Sequence, residues 1–408
     1  MFYVGIDLSD ETFDSCLADN SGNIVSRTVF HFHDDGFYAF IDWLKKHKLS
    51  SENCLIGLEN PRSRLVDFLI QRQYTVLSVN PKALSRYRES RSPSNAKSDS
   101  GDAHLIADYI REHQKALRPI KIPDEKIREL RLLLEDRDRL VKQKVRFSNQ
   151  LTNTLKDYFP QALDAFGSID NKCALEFLKK IDTHQQVKSR SSQEIDQLLD
   201  ECRCYQTKSR NRFRDAMKQS PSQIPQEIVR AKTILKNALV RHLILTIQDI
   251  EQYDKFIQQV MSEIPNGDIF KSLPGADYLL GAKLLVLYAS KDFNSANEAQ
   301  VFYGTAPYTV SSGKQRAVRF RTGCHKFGRN AFQQLACGSI KKSQWARKQY
   351  SRKRQEGKGA NHAFRCVANL WVKVSFAMWQ NKATYDETRH MASVADHFIN
   401  QPAFVTND

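Results

Sequence analysis

The spacing of hydrophobic and polar positions changes character three times along the chain. In the first 120 residues, short apolar runs alternate with amphipathic stretches. Phe2–Leu8 is an apolar run, and the β-rich runs 11–18 and 23–32 flank the turn Asp19-Asn20-Ser21-Gly22. Together they predict an antiparallel meander. Phe37, Phe40, Ile41 and Leu44 then recur at helical spacing, Cys54–Leu58 reads as a buried strand, 63–71 as a helix, 75–79 as a strand and Asp99–His113 as a helix.

Between about 124 and 262 the strand signals vanish. After the starter Pro123-Asp124, a stripe of Ile127, Leu130, Leu134, Val141, Val145, Leu151, Leu155 and Tyr158 describes one long helix, interrupted by Arg137 and Lys144. A second stripe runs Leu235, Leu239, Leu243, Ile247, Ile250, Ile257, Val260 and Ile264. Two such helices pack most simply as an antiparallel arm or as a coiled coil between subunits. Smaller helices are expected between them at about 160–225. From 265 to 395 the chain is mainly helical again. Leu273-Pro274-Gly275 before the apolar run 279–288 resembles a helix-hairpin-helix unit, whose Gly-rich turn can cradle phosphate; Asp277 replaces its second Gly, so a purely structural hairpin fits equally well.

Charge narrows the partner. The 408 residues carry 62 Lys and Arg against 46 Asp and Glu, a net +16 that favours a polyanion. The excess is concentrated late: Arg316, Arg319, Arg321, Lys326 and Arg329 follow the turn Thr309-Val310-Ser311-Ser312-Gly313-Lys314, and 341–358 carries eight Lys or Arg against one Glu. Trp345 and Tyr350 lie among these cations, a pattern that suits base stacking beside phosphate contact, or else anchors a solvated helix face. Lys314, Arg316, Arg319, Arg321, Lys326, Arg329, Arg347, Lys348, Arg352, Lys353 and Arg354 are therefore the candidate nucleic-acid contacts. The eight cysteines show no paired C-x-x-C spacing and read as free thiols of a reducing cytosol. No apolar run approaches a membrane span and no signal peptide is visible, which points to a cytoplasmic protein.

Four acids carry the chemistry. Asp7 lies in Tyr3-Val4-Gly5-Ile6-Asp7-Leu8, Glu59 in Leu55-Ile56-Gly57-Leu58-Glu59-Asn60, and Asp99 and Asp102 in Lys97-Ser98-Asp99-Ser100-Gly101-Asp102-Ala103. Singly, each is an ordinary strand-end or helix-cap residue. Gathered within a few ångströms they would repel one another and keep their protons unless divalent cations lay between them. Hard oxygen ligands favour Mg²⁺ or Mn²⁺, the ions that assist displacement at a phosphodiester. The substrate implied is nucleic acid.

Three hairpin-like strands followed by alternating units give the element order of the RNase H fold, which places acids at strand ends and on a last helix where Asp99 and Asp102, three apart, share a face. Gly5-Ile6-Asp7, Gly57-Leu58-Glu59-Asn60, Lys97-Ser98-Asp99 with Asp102-Ala103, Leu273-Pro274-Gly275, Phe302-Tyr303-Gly304-Thr305-Ala306-Pro307 and Ser311-Ser312-Gly313-Lys314 occur in the order of the DEDD-type insertion-sequence transposases, relatives of the Piv invertases, which the chain resembles. The resemblance implies an α/β RuvC-like domain over 1–120, a helical coiled-coil arm over 121–264 with its insert, a mainly α transposase domain with a catalytic serine over 265–395, and a tail at 396–408. Its four acids map onto Asp7, Glu59, Asp99 and Asp102, and its serine, which precedes a Gly, maps onto Ser312 beside Ser311. It also implies an element-encoded guide (bridge) RNA that pairs with donor and target double-stranded DNA; the two long helices, for their part, supply a way for a homo-oligomer, a dimer or dimer of dimers, to carry the serine of one subunit to the acids of another. The rival readings are a RuvC-like metal-dependent nuclease with a water nucleophile and a non-catalytic RNA-binding scaffold.

Overall fold

The computed structural model describes every residue except 62, 92–98, 122, 221–223, 313–314 and 393–408, and only the backbone at 99, 100 and 315. The chain divides into two units, Met1–Pro123 and Asp124–Asp408.

The first unit is a five-stranded mixed sheet between helices. Strands β1 (Phe2–Leu8), β2 (Thr12–Ala18) and β3 (Ile24–His31) form the expected meander. Its turn is tied by the Asp19 carboxylate, which accepts from the N–H groups of Ser21 and Asn23, both at 2.9 Å, and Gly22 supplies the positive φ of 88°. The chain crosses through helix α1 (Asp34–Lys46) to β4 (Cys54–Leu58), and through α2 (Arg64–Gln71) to β5 (Thr75–Ser78). The strand order is β3-β2-β1-β4-β5, with β1, β4 and β5 parallel. One face of the sheet (Val4, Ile6, Phe13, Leu17, Ile56, Leu58) buries the apolar sides of α1 and α2. The other face (Tyr3, Leu55, Leu77) receives α3 (Pro81–Arg91) through Leu84 and α4 (Asp99–His113) through Ile106 and Ile110. Cover on both faces is why every residue of β4 is buried.

Helix α3 has no counterpart in the hydrophobic pattern. It buries one residue, Leu84, and is otherwise polar. Its signal is a cap: the Asn80 side chain accepts from Lys82 N–H at 2.9 Å, with Pro81 in the first turn, where a missing N–H costs nothing.

The second unit begins with α5 (Glu125–Tyr158), and its partner α11 (Gln226–Glu263) returns along it. Lys126 pairs with Glu263, Arg137 with Asp254 and Lys232 with Asp157, and Phe147 stacks on His242, so the two helices run antiparallel. The apolar stripes do not form one continuous seam. Ile127, Leu130 and Leu134 join Ile257, Val260 and Met261 in the core of the C-terminal helices, whereas Leu151, Leu155 and Tyr158 join Leu239, Val240 and Leu243 in the core of the insert. Between these cores Val145 and Leu245 are exposed, and the interrupting cations are matched by carboxylates, Arg137 by Asp254 and Lys144 by Asp170 at 2.7 Å. Among the described residues the insert is five short helices, α6 (Gln161–Phe166), α7 (Lys172–Lys180), α8 (His184–Lys188), α9 (Ser192–Glu201) and α10 (Thr207–Lys218). The fully buried Lys236 fastens it to α11: its ammonium donates to the carbonyls of Leu178 and Ile181 at the end of α7 and pairs with Asp182 at 2.7 Å.

The C-terminal part comprises α12 (Tyr278–Ala289), α13 (Ala296–Phe302), a hairpin of β6 (Tyr308–Ser312) and β7 (Gln315–Arg319), and helices α14 (Lys326–Lys342), α15 (Gln344–Gln355) and α16 (Ala360–Asn381). The described cysteines are free thiols. Among the described residues no helix is long and apolar enough to cross a membrane.

Candidate active site

Two glycines set the position of the acids in the first unit. A Cβ on Gly5 would lie 2.0 Å from the carbonyl oxygen of Ala103 and 2.4 Å from the amide of Ala107, and one on Gly57 would meet Ile110 at 2.6 Å. Only bare backbone lets α4 lie so close on β1 and β4. Gly5 pairs with Gly57 and Ile6 with Leu58 in the parallel ladder, so one further step brings Glu59 level with Asp7 at the strand ends. Side chains alternate along a strand, so Asp7 and Glu59 share the face of the two glycines, the face α4 covers. Asp102 immediately precedes the Ala103 carbonyl that overlies Gly5. Three of the four expected acids thus belong to one end of the sheet. Asp99 begins α4, and its side chain lies outside the described residues.

The neighbours of these acids are charged. Asp7 is paired in register with Asp14 across the β1/β2 ladder, and like charges directly opposite are unfavourable without a cation. Asp102 meets Arg88 of α3, Nη2 to Oδ1 at 2.6 Å. Among the described side chains no three His, Cys, Asp or Glu are gathered closely enough to hold a metal ion. Further along α4, Tyr87 donates to Asp108 at 2.8 Å, and Arg91 and Arg111 pair with the same carboxylate at 3.0 and 2.6 Å. Burial, and then the Asp108 carboxylate, push the Tyr87 phenol well above its ordinary range. Arg88 and Asp14 escape a reading for catalytic motifs. Gly5 and Gly57, glycines inside apolar strands, are the available sign of a close helix.

In the second unit, Ser312 is the last described residue of β6 and pairs with Gln315; Ser311 pairs with Arg316. Alternation turns the two serines to opposite faces of the ribbon, Ser311 with Arg316 and Val318, Ser312 with Val310 and Ala317. Every residue of β6 is exposed. The root of the ribbon, by contrast, is fixed. Thr305 donates to the Asn369 side chain at 2.8 Å, Gln300 donates to the Asn369 carbonyl at 2.7 Å, and His325 N–H donates to the Phe302 carbonyl at 2.9 Å. Tyr303 is fully buried and donates to Leu287 O at 3.0 Å. The Phe302-Tyr303-Gly304-Thr305 motif is the hairpin's foundation.

The expected cations divide by surroundings. Arg316, Arg319 and Lys326 are exposed, and Lys314 lies outside the described residues, as do Gly313 of its turn, Lys97 and Ser98, and the tail at 396–408. Arg321 lies 5.7 Å from the Tyr308 ring, and Arg329 donates to the Arg321 carbonyl at 2.5 Å, bracing the loop after β7. On α15, Arg347 donates to the carbonyls of Ile340 and Lys341, both at 3.1 Å, closing the end of α14. Lys353 pairs with Glu356 at 2.7 Å, Arg352 reaches the same carboxylate at 4.0 Å, and Arg354 donates to Lys358 O at 2.9 Å. Arg347, Lys348, Arg352 and Arg354 remain exposed.

Two readings that the sequence leaves open are decided. Trp345 is 5% exposed and packs edge-on against Trp371 at 5.0 Å, and Tyr350 packs on Phe364 at 4.8 Å, so both rings anchor α15 instead of stacking with bases. The Leu273-Pro274-Gly275 turn is no phosphate cradle. Gly275, at φ 84°, is pressed against the backbone of Gly338, where a Cβ would lie 2.4 Å from the carbonyl carbon. Asp277 caps α12, accepting from Leu280 N–H at 2.8 Å, and sets a negative charge where a phosphate would have to enter.

A transposase family model of the IS110 DEDD type matches residues 4–160, and a model for the transposase IS116/IS110/IS902 family matches residues 267–351. The chain is similar to a Streptomyces coelicolor protein named for the transposase of the IS117 mini-circle, 25% identical over 402 residues and covering 96% of each chain. A 43.6 kDa protein of insertion element IS110 from the same organism is 23% identical over 309 residues, 74% of this chain and 75% of its own. The pilin gene-inverting protein of Moraxella bovis is 27% identical over 151 residues, 35% of this chain and 45% of its own. The carboxylate end of the sheet falls within the first match and the serine hairpin within the second, and the chain belongs to the IS110 family of DEDD transposases.

Proposed function

We propose that this transposase cuts and rejoins DNA by transesterification, with Ser312 as the nucleophile and Asp7, Glu59, Asp99 and Asp102 as ligands of Mg²⁺ or Mn²⁺. The observation that carries the reading is the level placement of Asp7 and Glu59 at the ends of parallel strands, on the face where the first turns of α4 bring Asp102. The donor set fits such an ion: every ligand is a hard carboxylate, and Asp14 opposite Asp7 adds to the negative charge. Bound there, the ion would draw charge from the scissile phosphate and favour ionisation of the serine hydroxyl.

Ser312 Oγ forms a bond to phosphorus as the ester bond to the departing DNA oxygen breaks, and the proton lost by the serine hydroxyl returns through solvent to that oxygen. The intermediate is itself a phosphodiester, one ester to Ser312 and one to DNA, so a hydroxyl of a second strand can displace Oγ, taking the bond to phosphorus and returning its proton to the serine without loss of a phosphodiester. Exposure of the hairpin lets a DNA backbone reach Ser312, with Arg316 and Arg319 on its second strand for phosphate contact. A relative named for inverting a pilin gene supports rejoining over simple hydrolysis. The guide RNA for donor and target DNA is supported by the family resemblance and by the net charge of +16. The paired helices α5 and α11 serve as the coiled-coil arm of a homo-oligomer, supported by the exposed Ile234, Leu245 and Phe256, each eleven residues from the next along α11.

The test is to sequence the RNA that co-purifies with the protein and to assay recombination of DNA matching it. The wild type should trap a covalent protein–DNA adduct that Ser312→Ala abolishes and Ser311→Ala retains. Strand cleavage without an adduct would return the protein to a metal-dependent nuclease. Mixing Ser312→Ala with Asp102→Asn subunits should restore partial activity if the acids and the serine act from different subunits; inactive mixed oligomers would refute that arrangement.

A further inference from the structure

Helix α3 contributes one side chain to the carboxylate end of the sheet, and the pair it makes there is largely enclosed. Arg88 Nη2 lies 2.6 Å from Asp102 Oδ1, with side chains 20% and 14% exposed. The helix has little apolar surface of its own, Leu84 being its buried residue. Its place against α4 is fixed by Tyr87 and Arg91 on Asp108 and by Arg91 on Glu112, about two and three turns away from Asp102. Arg88 is therefore not required to dock α3, and its contact with Asp102 calls for another reason.

Arginine commonly grips a carboxylate through both oxygens. Here the guanidinium donates to Oδ1 and leaves Oδ2 out of its grasp. A carboxylate that ligates a metal through one oxygen is commonly oriented by a hydrogen bond to the other, and loss of such an outer partner weakens metal binding about 10–100-fold. The rigid fork of Arg fixes that orientation more firmly than an ammonium would. We infer that Arg88 is a positioning residue, holding Asp102 by Oδ1 so that Oδ2 faces the divalent cation. This rests on the metal reading of Asp102 given above.

The experiment is a Mn²⁺ titration of the full-length chain followed by electron paramagnetic resonance, with thermal melts to check folding. Arg88→Ala should weaken Mn²⁺ binding by about 10–100-fold, and Arg88→Lys should recover part of the loss. Tyr87→Phe loosens the α3–α4 contact without touching Asp102 and should leave Mn²⁺ binding at the wild-type level. Unchanged or tighter binding by Arg88→Ala would overturn the inference, making Arg88 a bystander or a competitor of the ion. Equal weakening by Tyr87→Phe would also overturn it, tracing the effect to the docking of α3. Asp102→Asn separates the two levels. If it loses Mn²⁺ while Arg88→Ala keeps it, only the role of Arg88 fails; if wild type and Asp102→Asn behave alike, the metal reading fails first.

Discussion

The acids of the first unit are placed by packing that leaves almost no slack, whereas Ser311 and Ser312 are held only through the root of their hairpin. At the sheet, α4 lies so near β1 that Gly5 has no room for a methyl group. At the hairpin, every β6 side chain is exposed, and the fixed points are Thr305, Gln300 and His325 at the base. A metal site needs ligands held within fractions of an ångström, which rigid elements supply. A nucleophile that must receive a long, stiff polymer needs access instead, and a two-stranded ribbon clear of the core provides it.

The contrast breaks most completely through the groups proposed above as ligands and nucleophile. Asp7→Asn, Glu59→Gln and Asp102→Asn should each reduce strand exchange to background while the thermal melt stays near wild type, since these side chains lie at the margin of the apolar cores. On the hairpin, Ser312→Ala should do the same and Ser311→Ala should not, because alternation sends the two hydroxyls to opposite faces. Recombination by Asp102→Asn, or equal loss from both serine variants, would contradict this division.

The next effect is on stability and falls on one side only. Gly5→Ala would drive a methyl into the Ala103 carbonyl, and forced overpacking of this kind costs about 3 kcal/mol or more. Gly323→Ala, in the loop after β7, meets nothing within 4 Å and should shift stability by less than about 0.5 kcal/mol. Chemical denaturation of the two variants measures the difference directly.

How much of the molecule is legible in the sequence follows the same line. The alternating strands and the long helices are readable because burial imposes a period on the sequence. Helix α3 is not, since it has one buried residue and is held by polar contacts of Tyr87 and Arg91 that leave no period. Arg88 is hidden with it. The stripe on α5 reads as one seam, but a stripe cannot disclose that its two ends enter different cores, at Leu130 and Leu134 and at Leu151 and Leu155. Trp345 among cations resembles a stacking platform because composition does not say which face of α15 is buried. Asp277 resembles a missing glycine because its capping role depends on where α12 begins.

A smaller effect separates the cations that face solvent from those already engaged. Replacing Arg316 and Arg319 by Gln should reduce the log–log salt slope of duplex binding by about 0.9 for each phosphate no longer neutralised, with little change in the melt. Arg329→Gln should lower the melting temperature first, because its guanidinium holds the Arg321 carbonyl, and Arg347→Gln should do so through the exposed end of α14. Salt-dependent binding measured beside thermal melts tells the two groups apart, and equal behaviour of all four would erase the distinction.

The smallest expected effect tests whether the clamp between α3 and α4 is ionic. Burial alone would push the Asp108 carboxyl up, but hydrogen bonds from Arg111 and Tyr87 and the charges of Arg111 and Arg91 outweigh it and hold the group below its ordinary value. A carboxyl whose folded pKa is depressed stabilises the fold at pH values above its unfolded pKa of about 3.9 and loses that contribution as pH falls through the lower, folded value. The melting-temperature gap between wild type and Asp108→Asn should therefore be widest at neutral pH and narrow below about pH 4. Glu112 also faces Arg91 and Arg111, so a parallel series in Glu112→Gln isolates the Asp108 part. A gap that stays constant from about pH 7 to about pH 3 would mean that Asp108 holds α3 by shape and neutral hydrogen bonds, and the first unit would then owe the rigidity of its acid end to the glycine-backed packing of α4 alone.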